Sequence, residues 1–144
     1  MPVFNDLSLP EREQLEKFPV YLSLLAASKD CRLDGREMHT AVKLTHIKTF
    51  SCDPVLADFY AEVDKNFETT VREISNQLPA DRDAREITIR RELNKLEALL
   101  HKLDKRYAAI MHDSLRSYKD HVSRAHRNVL EYFIFPLPIS GITD

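Results

Sequence analysis

Apolar residues recur along most of this chain at steps of three and four, the period of one face of an α-helix. The clearest stripe is Leu56, Phe59, Tyr60, Val63, Phe67, Val71, Ile74 and Leu78. It predicts an amphipathic helix over about 54–78, with Asp53 as cap, Pro54 at the first helical position and Pro79 as terminator. A second stripe runs through Ile89, Leu93, Leu96, Leu100, Leu103 and Tyr107, then shifts phase into Met111, Leu115, Tyr118, Val122, Ala125 and Val129. Residues 83–132 contain neither glycine nor proline. As one rod this region would be about 73 Å long, against roughly 40 Å across for a compact domain of this length. The mismatch predicts a break near residues 100–104, where Asp104 can cap a helix restarting at Lys105. The alternative is an intermolecular coiled coil.

Nearer the amino terminus, Pro10 followed by Glu11, Arg12 and Glu13 reads as a first helical turn. Pro19 then divides a short helix over about 10–18 from a second over about 19–28, or kinks one longer helix. The second segment, with Val20, Leu22, Leu24, Leu25, Ala26 and Ala27, is apolar nearly all round, which marks a buried central helix. Asp34 and Glu37 have the spacing of a capping box and open a helix to about residue 50. That helix is expected to bury Met38, Ala41, Val42, Thr45 and parts of Leu44 and Ile47. Together these elements predict an all-α fold, a single-domain bundle of about five to seven helices over residues 1–144. Its tail, 132–144, includes the apolar YFIFPLPI, which either closes the core or docks elsewhere.

Composition narrows the function classes. Only Gly35 and Gly141 supply glycine, too few for hairpins or phosphate-cradling loops. Apolar residues make up 43% and charged residues 31%, and the net charge of -2 gives no bulk attraction to nucleic acid or membrane. No apolar run approaches the roughly 20 residues of a membrane span, and the first residues lack the pattern of a signal peptide, so a cytoplasmic location is expected. Cys31 and Cys52 then read as reduced thiols rather than a bridge. A zinc site combining them with His39 and His46 is disfavoured, because one intervening helix would hold the cysteines roughly 24 Å apart.

The most specific pattern is Asp30-Cys31-Arg32-Leu33-Asp34-Gly35-Arg36-Glu37. Asp30, Asp34 and Glu37 could converge on a hard cation such as Ca²⁺ or Mg²⁺ at a helix start. The stretch is not an EF-hand, since Arg32 and Ala41 fall where that loop requires ligands. The competing structural reading makes Asp34 and Glu37 a cap and leaves Asp30 to end the preceding helix or to pair with Arg32 or Arg36.

This same octet, following an apolar helix that ends in small residues, resembles the signature of the TerB-like family, all-helical proteins named for tellurite resistance. There the stretch commonly reads A-D-G-x-I-D-x-x-E. Ala27, Asp30, Leu33, Asp34 and Glu37 match it, while Cys31 stands in place of the glycine. The resemblance covers about residues 19–50, and residues 99–115 resemble the last helices of a less studied branch. It implies a helical bundle with a clustered acidic surface, cation binding or protein contact, and no established catalytic activity. The departure at Cys31 bears on the tight turn, and with it on any metal site.

Elsewhere the candidate chemistry is thin. His101, His112, His121 and His126 do not share a helical face and read as surface residues; Glu97 and His101 share one, without a paired Glu-x-x-His pattern. No nucleophile elbow or local catalytic cysteine signature is present. Arg82, Arg85, Arg90, Arg91 and Lys95 form a basic stretch, but Asp81, Asp83, Glu86 and Glu92 interleave with it, which favours a solvated helix face over a phosphate track. The sequence therefore ranks a non-enzymatic interaction or stress-response module first, with a protein partner or a second copy of the chain. Divalent-cation binding through Asp30, Asp34 and Glu37 is the alternative, and nucleic-acid binding near 82–95 comes third.

Overall fold

Ser8 starts the first helix with a reciprocal cap: its hydroxyl accepts from the Glu11 amide at 3.3 Å, and the Glu11 carboxylate accepts from the Ser8 amide at 3.0 Å. The structure, a computed structural model, describes residues 8–27 and 31–125. Only Lys17 separates α1 (Leu9–Glu16) from α2 (Phe18–Ala26). Pro19 lies in the first turn of α2, where no amide donor is needed, so it begins a helix instead of kinking a longer one. All nine residues of α2 are buried and none is charged, as expected of a central helix. It packs against α1, α4, α5 and α6.

The third helix, α3 (Gly35–Ser51), is followed by a single 3₁₀ turn at Pro54–Leu56 and then α4 (Ala57–Gln77). Asp53 accepts from the Val55 amide at 3.0 Å, so the expected cap is present, but it opens a tight turn before the α-helix proper. On α4 the whole predicted stripe from Leu56 to Ile74 is buried and Leu78 is half-buried. On α3, Ala41 and Thr45 are buried as expected, whereas Ile47 is 46% exposed. The face of α3 that meets α4 and α6 is centred on those two small residues, and a residue two positions beyond Thr45 points away from it.

Residues 101–104 break the long carboxy-terminal stripe into α5 (Arg82–Leu100) and α6 (Lys105–Ala125). Asp104 accepts from the Arg106 amide at 3.0 Å and caps the restart. Leu100 and Leu103 turn inward, and α6 folds back onto α2 and α3 with Met111, Leu115, Tyr118 and Val122 in the core. The described residues thus form an all-α bundle without β-strands, and none of their helices is long and apolar enough to cross a membrane. The apolar tail 132–144 lies outside the described residues.

Candidate functional site

The acidic turn is a cap. Asp34 Oδ1 accepts from the Glu37 amide at 2.8 Å, and Glu37 Oε1 accepts from the Asp34 amide at 3.1 Å. One oxygen of each carboxylate is therefore committed to the backbone, and the Glu37 side chain is buried. Asp30, the third predicted ligand, lies outside the described residues. Among the described residues no three His, Cys, Asp or Glu side chains gather as a metal site would require. Asp34→Ala should cost about 1 kcal/mol of stability without any metal present, because it orphans a first-turn amide. Urea unfolding with and without added Ca²⁺ checks this, and an effect confined to the metal-loaded protein contradicts it.

Cys31 explains why glycine suits this turn. Its φ is 54°, in the left-handed region, which costs an L-residue roughly 1–2 kcal/mol and costs glycine little. The Cys31 thiol is buried in the core cluster, and burial pushes its proton affinity up, so it is a packing group rather than a nucleophile.

Arg85, read from sequence as part of a basic face, is fully buried. Its Nε donates to the Cys31 carbonyl at 3.0 Å, and Nη1 donates to the carbonyls of Ser75 at 3.0 Å and Pro79 at 3.4 Å. Nη2 also donates to the Ser75 hydroxyl. The guanidinium ties the Cys31 turn to the end of α4 and is unavailable to a phosphate. Arg90 and Lys95 remain at the surface beside Glu86 and Glu92, at 3.5 Å and 3.2 Å, as expected for a solvated face.

His112 corrects the expectation that the later histidines lie at the surface. It is 1% exposed and faces Glu97, 0% exposed, with Nε2 3.6 Å from Oε1. The reason is the break at 101–104, which turns α6 back so that residues fifteen apart meet across two helices. No periodicity argument on a single helix could pair them. Nearby on α6, the Tyr118 hydroxyl bonds Ser23 of α2 at 2.8 Å and Thr45 of α3 at 3.1 Å, tying three helices at one point.

The surface feature that sequence reading missed is a cleft of about 330 Å³ between α1 and α4. Glu13 and Glu16 line one wall and Glu62 and Glu73 the other, with Lys17 the only cation lining it among the described residues; the buried Val20 and Val63 underlie it, and Asn66, Thr69 and Thr70 complete it. None of the four carboxylates makes an ion pair within 4.0 Å among the described residues. Partial burial, and then the charges of Glu62 and Glu13, raise the proton affinity of Glu16. The only signal in the sequence was the excess of acidic residues before Pro79, since the four residues come from two helices whose pairing no spacing reveals.

Fold and cleft together define the class: an all-helical bundle presenting an acidic groove. Comparison with family models, with curated proteins and with solved structures gives no match.

Proposed function

We propose that the chain is a non-enzymatic interaction module of TerB-like type, acting in a cytoplasmic stress-response setting, which docks a basic segment of a partner protein in the α1–α4 cleft. The cleft carries this reading. Glu13 and Glu62 act on Glu16, and none of the three has an ion-pairing partner among the described residues, so a lysine or arginine side chain entering between them relieves their repulsion. Val20 and Val63 are buried beneath the cleft and form its apolar floor. Among the described residues no three of the carboxylates gather as a metal site would require, which favours an organic cation. Ca²⁺ or Mg²⁺ at Asp30, Asp34 and Glu37 is less favoured because the cap already uses two of those carboxylates. Nucleic-acid binding near 82–95 is less favoured because Arg85 is buried.

A short peptide alternating lysine with leucine, titrated by calorimetry, tests the proposal. Glu16→Gln combined with Glu62→Gln should weaken binding about tenfold, equivalent to about 1.4 kcal/mol. Asp120→Asn, on the exposed side of α6, should leave it unchanged. Equal losses in both variants would show nonspecific charge attraction and remove the cleft from the account.

A further inference from the structure

Glu97 and His112 form an ionisable pair in the core that docking at the α1–α4 cleft does not use. Glu97 lies in the last turn of α5 and His112 two turns into α6, and both are out of contact with water. Neither oxygen of Glu97 has a hydrogen bond among the described residues, and Oε1 faces His112 Nε2 at 3.6 Å. A carboxylate so placed is costly as an anion, because neither water nor a donor replaces its lost hydration.

The charges around the pair do little to offset that cost. Arg116, one turn beyond His112, acts on both members, and Asp113 and Lys119 act on His112. The central helix α2, packed against both α5 and α6, has no charged residue. From α3, the Lys48 ammonium donates to the Ser117 hydroxyl at 3.0 Å, and from α4 the Tyr60 hydroxyl bonds Ser114 at 2.8 Å. On α1, Glu11 is held by Lys102. Burial therefore prevails: it raises Glu97 to about 7 and lowers His112 below the usual histidine value.

We propose that Glu97 and His112 are a proton-operated latch between α5 and α6, closed while the pair is uncharged overall and released when it loses that balance. The neutral pair is compatible with a dry core. Loss of the proton leaves a buried anion, and gain of a second leaves a buried cation. Either change favours moving α6 away from α5, and α6 carries Tyr118, which holds α2 and α3.

The direction of the pH response follows from the two shifts. Glu97 binds its proton more tightly folded than unfolded, so its contribution is complete below its ordinary value of 4.5 and is lost as pH rises through about 7. His112 binds its proton less tightly when folded, so its contribution is complete above 6.5 and is lost as pH falls through its lowered value. The latch is firmest in a mildly acidic window and slackens across neutrality toward alkaline pH.

Hydrogen exchange of the full chain, corrected for the intrinsic pH dependence of amide exchange, reads the latch directly. Between about pH 6 and pH 8.5, protection of α6 should fall about tenfold in the wild type, while Glu97→Gln removes that fall. Identical pH profiles in the two proteins would overturn the latch. The second measurement needs no substitution: the carboxyl carbon of Glu97, followed by NMR in the wild-type chain, should titrate near neutral pH. Titration in the ordinary carboxylate range would overturn the proposal even if Glu97→Gln failed to fold.

Discussion

Arg85→Ala is expected to destabilise the bundle by about 3–5 kcal/mol, a large part of the total stability of a domain this size. Among the described residues the fully buried guanidinium has no carboxylate beside it, and its donors go to the carbonyls of Cys31, Ser75 and Pro79 and to the Ser75 hydroxyl. Ser75 lies in the last turn of α4, whose carbonyls have no intrahelical partner and carry the negative end of the helix dipole. Arg85 therefore satisfies two needs at once, terminating α4 and fixing the left-handed turn at Cys31. Alanine would remove these four donated hydrogen bonds and would open a cavity of side-chain size. Arg85→Lys keeps the charge but cannot reproduce a fork reaching two separate segments, so it should recover less than half of the loss. Urea midpoints for the three proteins measure this, and a loss below about 1 kcal/mol for alanine would mean that water enters and replaces the donors.

Tyr118 should show a split response. Tyr118→Ala removes a fully buried aromatic ring and is expected to cost about 3–5 kcal/mol, whereas Tyr118→Phe keeps the ring and should cost about 1–2 kcal/mol. The smaller figure follows from counting protons. Ser23 and Thr45 also reach the carbonyls of Pro19 and Ala41, each at 2.9 Å, so three hydroxyl protons serve four contacts. Phenylalanine leaves the Ser23 and Thr45 protons on those carbonyls and loses only the shared bonds. Thermal unfolding of both variants decides the matter; equal losses would place the stabilisation in the hydrogen bonds rather than in the packing.

The proposed docking cleft and the proposed latch share a property that kept them out of the sequence. Glu13 and Glu62 belong to different helices, as do Glu97 and His112, and their meeting depends on how the helices are paired. The acidic turn behaves oppositely. Asp34 and Glu37 are three residues apart, and their reciprocal cap was legible because the partners are backbone amides of the same local segment.

What the sequence determined by itself was whatever is settled within a few residues of chain. The apolar period set the helices, Ser8, Asp34, Asp53 and Asp104 set their starts, and the all-apolar segment set α2 as the centre. The break at 101–104 was also local, since a cap at Asp104 and an overlong stripe both marked it. Tertiary structure alone decided which charges are buried. Arg85 and His112 sit among residues that spacing gives to solvent, yet one ends α4 and the other meets Glu97. The physical reason is that helix periodicity records where apolar side chains point, whereas the cost of a buried charge depends on the donors, acceptors and charges that distant segments bring to it.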